Sequence, residues 1–333
     1  GARPPLDSAP NMRLFLAVVF LALLGAAYAA PALVRPAKLK YHDTVAFISP
    51  ASPIIQEVGN VEQYKKNLTR DMAAMGLMVE FSPNSFANGP GGLAGTDEQR
   101  ASDLMWAFSN PNIKGIIANR GGWGCDRIVD KLDYTVIAAN PKIFMGYSDL
   151  TGCISAITQK TGLQTFHGPM GLSAWTGTLN AAYMNDVLIR ADPSVVFRSK
   201  TQTTTIVPGT GRGRLLGGNL SVFVSLLGTP YFPSMDEPYI IFLEDVGEAS
   251  YRIDRMLTSL HLHGMFSNAQ ALVWGQCTSC PTGSDFSVDE LLMQKWGGLL
   301  GVPSFKGAQI GHIYEQFTLP FGGLVEVDAD AGT

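Results

Sequence analysis

From residue 43 onward, short apolar runs alternate with amphipathic stretches. Thr44-Val-Ala-Phe-Ile-Ser49 has too many consecutive apolar residues for a half-exposed strand. It reads as a buried strand, stopped by Pro50. Residues 60–76 carry a helical pattern, and Met78 to Phe81 read as the next strand. Thr96-Asp-Glu-Gln99 is a capping-box signature that opens a helix to about Phe108. Ile113 to Ala118 form another strand. A glycine-rich loop follows it, and then a helix expected near 125–132. Ile143-Phe-Met145 is a strand, Asp149 to about Lys160 a helix, and Leu163 to Phe166 a strand. Alternating β and α units of this length predict a parallel sheet with helices on both faces.

The pattern changes after residue 170. Residues 171–200 are mixed. Gly209, Gly211, Gly213 and Gly217-Gly218 then crowd a short stretch, and a helix begins near Leu220. Tyr239 to Leu243 and Ala269 to Trp274 read as strands, 251–263 and 287–300 as helices. Two strands near 307–310 and 323–328 close the chain. Denser strands and glycine turns predict a second, β-rich α+β domain. The boundary is expected between 170 and 208, and we set the domains at 30–190 and 191–333. The ending Ala331-Gly-Thr333 reads as abrupt, as though a last strand were cut.

The N-terminus carries a different signal. Met12-Arg13 precedes an apolar run, Leu14 to Ala27, and then the small-x-small site Ala27-Tyr28-Ala29. That is the layout of a secretory signal peptide cleaved near Ala29. The run is short for a membrane span, so an uncleaved anchor is the weaker reading. Residues 1–29 are therefore a leader, and the mature protein is expected to be secreted or lumenal, off the membrane.

The 333 residues are 46% hydrophobic and 16% charged, with a net charge of −4. A chain this long buries a large core and favours two domains over one. Its mild acidity and lack of a Lys/Arg run argue against a nucleic-acid partner. Export permits a disulfide, and Cys277-Thr-Ser-Cys280 could close one locally, although so short a loop is often strained. Asn67-Leu-Thr69 is a glycosylation sequon on an expected surface helix. Asn219-Leu-Ser221 also matches but is expected to be buried.

Several residues could carry chemistry. Gly146-Tyr-Ser-Asp149 lies between an expected strand and an expected helix, which puts Ser148 at the carboxyl edge of the sheet, where ligands bind. The Asp149 amide and the helix N-terminus could face a developing oxyanion. By position alone, a plain N-cap serine is the commoner reading. Asn119-Arg-Gly-Gly-Trp-Gly124 follows another strand at the same edge, and its glycines would let backbone amides approach a ligand. Leu243-Glu-Asp245 ends a strand in the second half, with Glu248 and Asp254 as rival acids. The five histidines are His42, His167, His261, His263 and His312. Of these, His167 and His312 end strands and compete as general base. His261 and His263 lie about 200° apart on one helix, so they cannot jointly bind a metal with Cys277 and Cys280 while that helix is intact.

Ser49-Pro-Ala-Ser52, Arg120-Gly-Gly-Trp-Gly124, Gly146-Tyr-Ser-Asp149, Gly217-Gly-Asn-Leu220, Leu243-Glu-Asp245 and Gly311-His312 occur in this order. Together they resemble the LD-carboxypeptidase family, which includes the microcin C immunity peptidases, over about 35–330. No single motif is decisive; their order and spacing make the likeness specific. The resemblance implies a Rossmann-like N-terminal domain, a β-rich C-terminal domain and a homodimer. It implies Ser148 as nucleophile, His312 as base and Glu244 as the orienting acid. The Asp149 amide with Gly121 and Gly122 would form the oxyanion hole, while Arg120 and Asn219 would contact substrate. No metal or other cofactor is expected. The implied substrate is a peptide ending in a D-residue, typically murein tetrapeptide losing D-alanine; one branch cleaves aminoacyl-adenylate analogues instead. Murein-recycling members are cytoplasmic, so an export signal points to foreign murein. A catalytically silent binding protein of the same fold is one rival, and a metal-dependent hydrolase using His261, His263, Cys277 and Cys280 is the other.

Overall fold

The computed structural model describes residues 31–281 and 286–333. The expected signal peptide lies outside the described residues. The first sheet contains β1 (Thr44–Ile48), β2 (Met78–Phe81), β3 (Ile113–Ala118), β4 (Ile143–Gly146) and β5 (Thr165–His167). These five are parallel, in the spatial order β5-β4-β3-β1-β2. The central strands β3 and β4 are almost wholly buried, as a sheet covered on both faces requires.

The helices follow from local sequence. α1 (Val61–Ala74) starts at Asn60, whose side chain accepts the Gln63 N–H, and buries Tyr64, Leu68 and Met72 along one stripe. α2 (Asp97–Ser109) opens with the capping box of Thr96 and Gln99. α3 (Tyr134–Ala139) is capped by Asp133. α4 (Leu150–Thr161) is buried from Leu150 through Thr158 and ends at Gly162. The helix expected over 125–132 is instead two 3-10 turns, Cys125–Arg127 and Val129–Lys131. Gly124 enters them at φ +113, and the Cys125 N–H donates to the Asp149 carboxylate at 2.8 Å. The start of the segment is thus tied to the Ser148 turn rather than to a helical ladder.

After the short α5 (Leu179–Met184), the second half forms another six-stranded sheet. Its members are β6 (Thr204–Val207), β7 (Thr210–Asn219), β8 (Tyr239–Val246), β9 (Ala269–Thr278), β10 (Ser304–Lys306) and, past one further strand, β12 (Leu324–Asp328). The order is β12-β7-β8-β9-β10-β6, parallel in the middle four and antiparallel at both edges. α6 (Leu220–Ser225) and α7 (Ser250–Leu262) join these strands, and a helical run over 288–300 contains a π-turn at Leu291–Trp296. Residues 307–310 are not a strand. β10 ends at Lys306, and the Gly307 and Ala308 N–H groups both turn back to the Trp274 carbonyl.

The remaining strand, β11 (Leu319–Phe321), crosses to the first sheet and pairs antiparallel with β5, setting Leu319 opposite His167. α4 also packs against β7 and α6. One hydrophobic core therefore runs from Phe144 and Ile154 to Phe242 and Leu243. These crossings place the carboxyl edge of the first sheet against the end of β8. Cys277 and Cys280 form a disulfide, while Cys125 and Cys153 are free and buried. Asn67 is exposed, and Asn219 is buried.

Candidate active site

Ser148 sits in the turn between β4 and α4 at φ +62, a left-handed conformation unusual for a non-glycine residue. Such a residue costs of order 1–3 kcal/mol and persists only where its surroundings hold it. Here the Thr151 N–H donates to the Ser148 carbonyl at 3.0 Å and the Leu150 N–H to that of Tyr147 at 3.3 Å. Gly146 makes the turn possible, since a β-carbon there would lie 2.7 Å from Leu150 Cγ. The serine is thus presented by a sharp strand-to-helix turn, as in a nucleophile elbow.

His312 arrives from the opposite sheet. β8 and β9 change register between Leu243 and Asp245. Beside this irregularity, Gln276 N–H donates to the Ile310 carbonyl at 2.9 Å, which docks the loop carrying the histidine. His312 Nε2 then lies 2.9 Å from Ser148 Oγ, and His312 Nδ1 lies 2.8 Å from Glu244 Oε2. Glu244 is fully buried, whereas the His312 side chain is 19% exposed. A serine hydroxyl, an imidazole and a carboxylate therefore stand in one hydrogen-bonded row, drawn from both halves of the chain, the arrangement that an activated nucleophile requires.

Asp245 points the other way. It accepts hydrogen bonds from Asn219 Nδ2 at 3.1 Å, Ser221 N–H at 3.0 Å and its neighbour Val246 N–H at 2.9 Å. Burial pushes its pKa up to about 6. Alternation along an extended strand separates the two adjacent acids. Glu248 pairs with Arg252, and Asp254 with Lys295 and Trp296 Nε1; neither acid is bonded to His312. His167 is completely buried, and burial pushes its pKa down to about 4, which leaves it neutral near pH 7.

The glycine loop lies against Ser148. A β-carbon on Gly121 would fall 2.8 Å from Ser148 Cβ and 3.4 Å from the Asp149 nitrogen. The Asp149 N–H has no acceptor among the described residues. Ser52 holds this loop: its N–H donates to Gly121 O at 3.2 Å, and its Oγ accepts the Trp123 N–H at 3.3 Å. A β-carbon on Gly122 would collide with that oxygen. Sequence reasoning did not assign Ser52 this task, although it stands in the quoted Ser49–Ser52 turn. The Asp149 carboxyl is raised above its ordinary pKa by burial, and it binds Cys125 N–H rather than facing the cleft.

The two expected substrate contacts differ. Arg120 reaches Glu57 at 2.7 Å on the same sheet edge and keeps a partly exposed side chain. Asn219 is turned inward. Its oxygen accepts the Val222 N–H and Ser221 Oγ–H, and one amide N–H donates to Asp245. The side chain thus caps α6 and is buried. The residues of the metal reading do not converge either. Cys277 and Cys280 are bonded to each other, His261 lies near Phe266 and Trp296, and His263 against Phe232.

Residues 45–168 match the LD-carboxypeptidase N-terminal domain and residues 212–327 the LD-carboxypeptidase C-terminal domain. A Bacillus subtilis protein named a probable murein peptide carboxypeptidase is 34% identical over 86% of this chain and 89% of its own length. The murein tetrapeptide carboxypeptidase of Pseudomonas aeruginosa is 30% identical over 84% of this chain and 91% of its own. Among solved structures, an MccF-like protein from Bacillus anthracis superposes with a TM-score of 0.77 at 27% identity, covering 89% of this chain and 96% of that one. Two matched domains in order, over a shared two-sheet fold, identify this chain as a member of the LD-carboxypeptidase family.

Proposed function

We propose that this protein is a secreted serine carboxypeptidase that hydrolyses the amide before a terminal D-amino acid, converting murein tetrapeptide to tripeptide and D-alanine. The observation that carries the reading is the row Ser148 Oγ, His312 Nε2, His312 Nδ1, Glu244 Oε2, with contacts of 2.9 and 2.8 Å. In this mechanism His312 takes the Ser148 proton as Oγ attacks the scissile carbonyl, and Glu244 stabilises the imidazolium. The Asp149 amide, with Gly121 or Gly122, receives the developing oxyanion. His312 then protonates the departing D-alanine nitrogen. A water molecule, deprotonated by the same ring, attacks the acyl-enzyme and releases the tripeptide and free Ser148. Arg120, paired with Glu57 at 2.7 Å, would meet an anionic group of the peptide by exchanging that partner.

Export is part of the proposal. It rests on the Met12–Ala29 pattern, and the Cys277–Cys280 disulfide suits an oxidising compartment. A homodimer is proposed from the family likeness alone. Incubating the protein with murein tetrapeptide and weighing the products tests the activity; no D-alanine from an active-site-intact sample overturns it. Likeness to the MccF-like fold favours one second reading, hydrolysis of an aminoacyl-adenylate analogue. The same assay with such a conjugate, run beside tetrapeptide, separates the two.

A further inference from the structure

His312 sits in a loop that the second half of the chain ties on both sides. Ahead of it, the Gln276 N–H of β9 donates to the Ile310 carbonyl at 2.9 Å. Behind it, the Phe317 N–H donates to the Gln309 carbonyl at 3.0 Å, and Gln309 Nε2 donates to the Glu315 carbonyl at 3.0 Å. These bonds close the loop on itself and on β9. None of them reaches the half that carries Ser148. The pairing of β11 with β5 does reach it, but only from Leu319 onward.

The first two residues of α5 bridge that gap. They bind three consecutive residues just past His312. The Leu179 N–H donates to Glu315 Oε1 at 2.9 Å. Asn180 Nδ2 donates to the Tyr314 carbonyl at 3.1 Å, and the Gln316 N–H donates to Asn180 Oδ1 at 2.8 Å. Asn180 Nδ2 also donates to the Ala174 carbonyl at 2.7 Å. Ala174 belongs to a segment fastened to the first sheet. There the Gly171 N–H donates to the Ala118 carbonyl at 2.9 Å and the Leu172 N–H to the Asn119 carbonyl at 3.1 Å. Asn119 opens the glycine loop that lies against Ser148. A continuous path therefore runs from the end of β3, through 171–174 and Asn180, to the residues after His312.

Asn180 is wholly buried. A buried amide is costly unless its polar atoms are paired, and leucine fills a similar volume without that cost. Here the amide meets two carbonyls and one N–H from separate segments. The carbonyls need donors and the N–H needs an acceptor, and a short side-chain amide supplies both. We propose that Asn180 is a positioning residue for the triad: it clamps the His312 loop to the half that carries Ser148 and so sets the reach from His312 Nε2 to Ser148 Oγ. The inference rests on reading Ser148, His312 and Glu244 as a triad. Glu244 and the β9 bonds belong to the same half as His312, so they orient its ring. The Asn180 clamp crosses to the other half and fixes the distance.

The test uses Asn180→Leu in the whole chain, with Lys142→Met as control and folding checked by circular dichroism and Tm. Lys142 lies just ahead of β4, at the sheet edge away from Ser148, and its buried amine donates to the carbonyls of Ala107 and Asn110. Its loss removes buried hydrogen bonds without touching the clamp. The first readout needs no substrate: the nitrogen resonance of His312 Nε2, which reports the hydrogen bond from Ser148 and is calibrated by Ser148→Ala. The second is kcat against KM on tetrapeptide. Asn180→Leu is expected to move the resonance toward its position in Ser148→Ala and to lower kcat about tenfold, with KM little changed. Lys142→Met is expected to lower Tm and leave both readouts alone. A wild-type resonance in folded Asn180→Leu overturns the inference. So does an equal effect of Lys142→Met, which marks a purely structural role. If Asn180→Leu does not fold, Glu315→Leu, which frees the Leu179 N–H from a partly exposed partner, decides by the same readouts. Should the wild type release no D-alanine, the proposed function fails while the resonance still judges Asn180.

Discussion

Gly311 is packed so tightly on Glu244 that a β-carbon there would lie 2.9 Å from the Oε2 atom that holds His312. The glycine also sits at φ +122, a region that disfavours side chains. Gly311→Ala should therefore push the acid away from the histidine while straining the loop. We expect kcat to fall about 100-fold or more and stability by roughly 1–3 kcal/mol. Steady-state kinetics and urea denaturation check both; wild-type kcat with intact stability counts against this packing.

Each member of the row should fail in its own way. Ser148→Ala and His312→Ala are expected to remove nearly all turnover, each by several powers of ten, without unfolding the protein. Glu244→Gln should cost less than either, since an orienting group is not the proton acceptor. Rates of D-alanine release from the three variants give the ranking. Near-wild-type turnover by Ser148→Ala would end the serine mechanism, and a dead His167→Ala beside an active His312→Ala would reassign the base.

Much of this arrangement was legible in the sequence because it depends on local signals. The capping box at Thr96 and the buried run of β1 fixed the first βα units, and the ordered motifs brought Ser148, Glu244 and His312 forward. What could not be read depends on distant pairing. β11 is three residues long and gains its place only by lying against β5. The 125–132 stretch looked helical, but Asp149, more than 20 residues downstream, claims its leading N–H. Asn219 stands in a shared motif, yet its orientation follows from Asp245, a neighbour created by strand pairing.

The glycine loop offers a substitution that should separate catalysis from folding. The Gly121 β-carbon would land 2.8 Å from Ser148 Cβ and 2.9 Å from its Oγ. Its backbone is not in the left-handed region, so alanine adds a collision without a dihedral penalty. Gly121→Ala should lower kcat by about 100-fold, the scale of losing one oxyanion donor, while Tm changes little. Labelling of Ser148 by a fluorophosphonate should slow in parallel. A variant that labels and turns over normally would show that the loop does not crowd the nucleophile.

Asp245 should leave a mark on stability against pH. Burial raises its folded pKa to about 6, whereas an unfolded aspartate titrates near its ordinary value of 3.8. Between these values the folded protein binds more protons than the unfolded chain, so stability falls as pH rises. The contribution is fully present below the unfolded pKa and lost as pH passes through about 6. A two-unit difference amounts to about 3 kcal/mol. Asp245→Asn cannot ionise and should lack this component, although it gives up one of the acceptors that hold Ser221 and Asn219. Denaturation of both proteins from about pH 4 to 7 reads the difference directly. The wild type should lose about 3 kcal/mol relative to the variant across that window. Parallel curves would mean that Asp245 is ionised in the folded state throughout, with the N–H groups of Ser221 and Val246 outweighing its burial.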